Sequence, residues 1–283
     1  MTNVGNKKGK IEMNKNNLQQ KQPNNPVASP ETNHSPLTTH HSLKRKSAFT
    51  LAEVLITLGI IGIVSAITIP ALITKYRVKV LEAQFKKTDA MLQESLKKSV
   101  NEFGYDDITD LNIDGRQVNQ ETLASFQTEI AELNEIWLKQ FKGIKEVYHN
   151  PLFHQGVRVY DLFGNPLESP KYTGYYFPGN GTYLLPDGTL ITGLMASWNG
   201  VNHPAIITFI FDTNGPYKGP NRLGHDIFAY SSIQGYLNYC NPNIQNSGHQ
   251  KGCYDWAHKN LNPLTNSGEY WDILFKPISY WKK

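Results

Sequence analysis

The chain has 283 residues, 39% apolar and 11% aromatic, enough for one or two domains with a core and unlike a chain disordered throughout. Its formal net charge of +4 is unevenly placed: residues 1–48 carry 8 Lys/Arg against 2 Asp/Glu, and residues 49–283 carry 20 against 22. The near-neutral remainder argues against a broad nucleic-acid-binding surface.

Residues 1–43 are rich in Asn, Lys, Gln, Ser, Thr and Pro and contain no Phe, Trp or Tyr. Such a segment buries too little apolar surface to offset the entropy of ordering. Residues 1–48 are therefore expected to be a disordered leader outside the fold. A basic "KRK" at 44–46 then meets a long apolar run. Over residues 49–74 the only formal charge is Glu53. A helix needs about 20 apolar residues to cross a bilayer, so this run is a membrane-spanning candidate. Gly59, Gly62 and Pro70 inside it are residue types that membrane helices tolerate. A secretory signal would have a shorter apolar core followed by a small-residue cleavage site. The positive-inside rule places "KRK" on the cytoplasmic side and the bulk of the chain outside.

From residue 75 the pattern changes. Val78, Leu81, Phe85, Thr88, Leu92, Leu96, Ser99 and Phe103 recur at spacings of three and four. Lys79, Glu82, Lys86, Lys87, Glu94, Lys97 and Lys98 fill the positions between. This is an amphipathic helix with one apolar stripe. No Gly or Pro follows Pro70 before Phe103, so one helix is expected from Phe49 to about Glu102, roughly 80 Å long at 1.5 Å per residue. Its halves are residues 49–74 and 75–103.

Residues 104–283 are expected to form the head. Leu123, Phe126, Ile130, Leu133, Trp137 and Phe141 mark a second helix, with Asn119 or Thr122 as its cap. "GVRVYDLFG", "TGYYFPG", "GTYLLPDGTLITG" and "AIITFIFDTNG" are β-type runs separated by turn residues, and "PDGT" signals a hairpin. The fold class expected is α+β: a long helix packed on an antiparallel sheet of about four strands. Residues 236–283 read as irregular. They carry both cysteines, Cys240 and Cys253, and a pair in an oxidising compartment suggests one disulfide, with two free thiols as the alternative. That loop would contribute roughly 3 kcal/mol in the chain-entropy model.

The run "KSAFTLAEVLITLGIIGIVSAITIPALI" resembles the N-terminal cleavage and methylation segment of type IV prepilins and type II secretion pseudopilins. The features that carry the resemblance are the basic flank, a small residue before Phe-Thr-Leu, an acid four residues after the Phe, and a late Pro. The resemblance is close from Lys44 to Tyr76 and loose over the rest of the helix-plus-sheet layout. It implies a pilin-like structural subunit. A prepilin peptidase would cut between Ala48 and Phe49, and Phe49 would be N-methylated. Glu53 would pair with the Phe49 ammonium of a neighbouring subunit during assembly. Physics supports the pairing independently, because a carboxylate in the membrane is unfavourable by a few kcal/mol unless neutralised or paired. Gly62 to Pro70 correspond to a stretch that loosens in assembled fibres, consistent with the poor helix propensity of both residue types.

The implied partners are like subunits, the peptidase, the inner-membrane assembly machinery and the lipid bilayer. The implied location is the inner membrane with the head outside, then a surface or periplasmic fibre. The departures are Ala48, where Gly is usual, a longer leader, and Ala52 in place of a larger aliphatic residue. A pseudopilin is the neighbouring alternative. A membrane-anchored binding protein that never polymerises is the alternative of another class.

Two further patterns remain. In "FDTNGPYKGPNRLGHDIF" (residues 211–228), Asp212, Asn214 and Asp226 offer oxygen atoms around a Gly/Pro-rich loop, the donor type calcium takes. The closing Glu of an EF-hand is missing, and the same residues also suit a hydrogen-bonded loop that closes the sheet. Trp198, Tyr217, Phe228, Tyr230 and Tyr236 suit sheet-core or subunit-contact roles, with a ligand- or DNA-binding face as the sharper alternative. The nine histidines lack zinc spacing, and neither a phosphate loop nor a Gly-x-Ser-x-Gly elbow occurs, so no enzyme is expected.

Overall fold

The computed structural model describes residues 49–112, 119–147, 157–167, 181–197, 205–233 and 253–281. Helix α1 runs Leu51–Phe103, within two residues of the expected span, with Pro70 inside it. From Val78 onward the stripe is buried: Val78, Leu81, Phe85, Leu92, Leu96 and Val100 point into the core, together with Thr88 and Ser99. A period near 3.6 puts these positions on one side of the helix. Glu82, expected on the solvent side, is largely covered and accepts from both Lys79 (2.9 Å) and Lys86 (2.7 Å).

A 3-10 turn at Ile108–Leu111 follows. Helix α2, Gln120–Lys139, starts in a capping box: Asn119 accepts from the Thr122 N–H at 2.8 Å, and Thr122 accepts from the Asn119 N–H at 2.9 Å. Both expected cap residues are thus used, one for each orphan donor. Phe126, Ile130, Leu133 and Trp137 are the buried face of α2. The Trp137 indole donates to Ser95 Oγ of α1 at 2.9 Å.

The sheet has strands β1 (Lys145–Glu146), β2 (Thr182–Leu184), β3 (Leu190–Thr192), β4 (Met195–Ser197), β5 (Ile206–Asp212) and β6 (Ile227–Ser231). Every pairing is antiparallel: β1 with β2, β2 with β3, β3 and β4 with β5, and β5 with β6. The α+β class is as expected, with six strands where about four were expected. One reason is local. Gly193 and Leu194 break the run "GTLITGLMAS" into β3 and β4, which pair with opposite ends of β5. The freed Leu194 N–H is taken by Asn134 Oδ1 of α2 at 2.7 Å. "PDGT" forms the β2–β3 turn, with the Leu185 N–H bonded to Thr189 O. "GVRVYDLFG" contributes only isolated bridges through Tyr160, to Pro166 and Arg222. "TGYYFPG" lies outside the described residues.

β5 is buried along its whole length. Phe85 of α1 sits at the centre of the core, with ring centroids 4.6 Å from Phe228, 5.4 Å from Trp271 and 5.9 Å from Tyr254. The C-terminal part is less irregular than expected. It contains α3 (Cys253–Lys259), a 3-10 turn (Trp271–Ile273) and α4 (Ile278–Trp281). α3 is tied to α1 through Asp89, which accepts from the Tyr254 hydroxyl at 2.5 Å and lies 2.7 Å from His258 Nδ1.

Candidate functional site

Two stretches carry the residues singled out from the sequence. The first is the start of α1. Phe49 is exposed, and Thr50 is the residue before the helix. The Thr50 N–H and hydroxyl both donate to Glu53 Oε2, at 2.8 and 3.0 Å, and the Glu53 N–H donates to Thr50 Oγ1 at 3.2 Å. This is a reciprocal Thr-x-x-Glu capping box. Thr50 was not among the residues picked from sequence, although Thr-x-x-Glu ahead of an apolar run is a readable start signal. Glu53 therefore has a local partner before any neighbour is considered. Ala48 lies outside the described residues.

Downstream, the helix is apolar on every side and exposed, from Val54 through Ile60, Ile67 and Leu72 to Tyr76. Among the described residues, α1 is the one helix long and apolar enough to cross a membrane. It is unbroken through Gly62 and Pro70. Pro70 has no N–H for the carbonyl of Ala66, so one backbone bond is missing there. A Cβ on Gly62 would meet nothing within 4 Å, so close packing inside the chain does not require glycine at this position.

The second stretch is the β5–β6 loop. Asp212 stands opposite Ile227 in register, and the Thr213 N–H bonds to Asp226 O, which brings Asp212 and Asp226 together at the mouth of the hairpin. Both residues are fully buried. Asp212 Oδ1 accepts from the N–H groups of Asn214 (3.1 Å) and Gly215 (2.9 Å). Asp226 accepts from the N–H groups of Arg222 (2.7 Å) and Asn221 (2.8 Å). Burial and the neighbouring Asp226 push the Asp212 carboxyl well above the ordinary carboxylate range. Burial also pushes Asp226 up, against the pull of those two backbone N–H groups.

Two side-chain amides brace the loop. Asn214 Nδ2 donates to Gly219 O at 3.0 Å and Asn221 Nδ2 to Pro216 O at 2.9 Å. Gly215 has φ 80°, and a Cβ there would fall 2.2 Å from Gly188 O, so the contact between this loop and the β2–β3 turn requires glycine. The structure places Asp212, Asn214 and Asp226 on this one loop, and Asn221, which was not singled out from the sequence, lies beside them. Asn221 adopts φ 51°, a left-handed conformation that Asn accepts more readily than most residues.

Phe228 and Tyr230 are core residues, and Tyr217 is exposed. Trp198 and Tyr236 lie outside the described residues, as does Cys240. Cys253 is fully buried, and no cysteine among the described residues is a free thiol. No group of three or more His, Cys, Asp or Glu suited to a metal occurs among the described residues.

Residues 43–69 match the family model of the prokaryotic N-terminal methylation motif. This is the prepilin-type cleavage and methylation segment, and this chain carries it. No curated protein and no solved structure matches the chain significantly.

Proposed function

We propose that this protein is a structural subunit of a type IV pilus-like fibre, processed at Ala48/Phe49 and polymerised through α1. The observation that carries this reading is the coincidence of the methylation motif at 43–69 with a helix half that is apolar on every side. A lone anchor needs apolar residues but no acid at a fixed distance from a cleavage point. A polymerising helix uses both. Glu53, capped by Thr50 in the single subunit, exchanges that contact for the Phe49 ammonium of a neighbour. Two groups that are unfavourable in lipid then neutralise each other and set the axial register. The head, held outside the cytoplasm, is closed by a Cys240–Cys253 disulfide, and its role is structural rather than catalytic.

The test is intact mass with N-terminal sequencing of the protein from its own cell membranes, with electron microscopy of the cells. A chain that begins at Phe49 and carries one added methyl group is the expected result, together with long surface fibres labelled by antibody to the head. A processed chain without such fibres moves the reading to a pseudopilin. A chain that retains residues 1–48 overturns processing and leaves a membrane-anchored binding protein.

A further inference from the structure

A cavity of about 570 Å³ opens where the end of β6 meets α1, the 3-10 turn that follows α1, and α3. Tyr230 of β6 lines it. This residue is 8% exposed, and its hydroxyl has no hydrogen-bond partner among the described residues. Its ring is fixed, stacked on Phe209 (centroids 4.7 Å apart) and edge-on to Tyr254 (5.5 Å). A largely buried hydroxyl without a partner is unfavourable, so it marks a place where something else supplies the bond. Burial, then the Asp107, Asp255 and Asp89 carboxylates, hold the phenol above its ordinary range, so it stays a donor. Other lining groups are half used within the chain. Gln93 Nε2 donates to the Tyr254 hydroxyl at 2.7 Å, which leaves Oε1. Asn112 Oδ1 accepts from the Ser232 hydroxyl at 2.6 Å, which leaves Nδ2. Asp107 Oδ1 accepts from the Thr109 N–H at 2.8 Å, which leaves Oδ2. His258 Nδ1 is 2.7 Å from Asp89 Oδ2, which leaves Nε2.

We propose that this cavity is a binding site for a neutral polyhydroxyl ligand, a saccharide unit, held by the Tyr230 hydroxyl, Asn112 Nδ2, Gln93 Oε1 and Asp107 Oδ2. The first two are donors and the last two acceptors, and a sugar hydroxyl serves as both. His258 Nε2 accepts when the ring is neutral and donates when it is charged, so it suits a hydroxyl in either state. Among the described residues no Lys or Arg lines the cavity, and Lys97 acts on Asp107 from outside it. The three carboxylates around Tyr230 therefore disfavour phosphate, sulfate or an acidic ligand. An ammonium or guanidinium would suit the carboxylates but has no acceptor for the Tyr230 and Asn112 donors. An apolar ligand would leave all four groups unpaired. The volume lies within the roughly 300–1,000 Å³ of small-ligand sites. A free sugar and one unit of a polysaccharide offer the same chemistry. This inference stands apart from fibre formation, since it concerns only the head.

The experiment uses the full chain in an amine-oxide detergent, whose headgroup carries no sugar. Glucose, galactose, mannose and N-acetylglucosamine are titrated by saturation-transfer NMR and calorimetry. Putrescine and inorganic phosphate are the charged probes. Saturable binding of at least one sugar is expected, and none of phosphate. Tyr230→Phe keeps the ring packing and removes the hydroxyl. It should weaken sugar binding about five- to tenfold, while Tm without sugar stays the same or rises, because no bond within the chain is lost. Asn112→Asp keeps the oxygen that accepts from Ser232 and replaces the free donor with a carboxylate oxygen. It should weaken sugar binding about tenfold or more. Unchanged sugar binding in both variants, or no binding of any probe to the unaltered chain, would overturn the site. So would a clear fall in the sugar-free Tm of Tyr230→Phe, which would show that the hydroxyl is satisfied within the chain. Tighter binding of putrescine than of any sugar would overturn the choice of ligand. Dextran and chitin beads separate the two sources: retention of the chain on beads supports a polymer-borne unit, and binding of free sugars without retention supports a soluble one.

Discussion

Residues 54–76 and 78–103 belong to one helix, yet they meet different surroundings. In the first half Ile56, Ile60, Ile63 and Leu72 are exposed, and no side of the helix is covered. In the second half Phe85, Leu92, Leu96 and Val100 are buried on one side, and lysines stand on the other. Total hydropathy separates the two halves, but the pattern says more. An all-round apolar surface requires lipid or a set of neighbours on every side, whereas a stripe requires one partner. Each half also carries an acid with its own partners, exposed at Glu53 and buried at Asp89. Asp89, in the second half, finds Tyr254 and His258 within the chain. Glu53, at the start of the first, finds only Thr50 among the described residues.

The sharpest way to break this contrast is Glu53→Ala. Fibre assembly should be lost outright, with membrane insertion and head stability unchanged, as read by fibre yield and by unfolding in detergent. Normal fibres from this variant would remove the register role of Glu53. Next in size is a matched pair of truncations. Phe85→Ala should destabilise the head by about 3–5 kcal/mol, because the ring packs against Phe228, Trp271 and Tyr254 and leaves a cavity. Ile60→Ala removes a comparable apolar group from an exposed position and should shift head unfolding by less than about 0.5 kcal/mol. Similar losses from both variants would mean that the first half packs within the subunit.

The stripe of α1 from Val78 to Val100 was legible because a helix face is a local, periodic property. The α2 cap at Asn119–Thr122 and the "PDGT" turn were legible for the same reason. The break between β3 and β4 was not, since it depends on Asn134 of α2 accepting the Leu194 N–H. In the loop, Asp212, Asn214 and Asp226 were legible as oxygen donors. That Asp212 keeps one oxygen free while both oxygens of Asp226 are used could not be read locally, because it depends on how strand register closes the hairpin. The Asp89 cluster was hidden most deeply. Its partners lie 165 and 169 residues away in a region that showed no periodicity.

A smaller effect tests the capping box. Thr50→Ala removes the hydroxyl that holds Glu53 and should cost the first turn of α1 about 1 kcal/mol. Hydrogen exchange at the amides of Leu51 to Val54 in detergent should rise several-fold, while the head amides stay unchanged. Unaltered protection there would mean that the cap is not formed in the lone subunit.

The smallest effect concerns His258. Its hydrogen bond to Asp89 raises the imidazole above its ordinary value, burial opposes the shift, Asp255 adds to it and Lys259 subtracts. A histidine whose folded pKa is raised contributes stability that is full below the unfolded value, near ~6.5, and is lost as pH rises through the folded value. The ring is about half exposed, so solvent screening keeps the contribution near that of a surface pair. Between pH 6 and pH 9 the head should therefore lose about 1–3 °C of Tm through this pair. His258→Gln can still hydrogen-bond Asp89 but cannot carry the charge, so its Tm should fall less over the same range. The difference between the two profiles isolates the pair from other groups that titrate there. Superimposable profiles would show that the Asp89–His258 contact holds α3 to α1 as a neutral hydrogen bond at every pH, and that the charged acid on α1 answered by a cation inside the chain is not what separates Asp89 from Glu53.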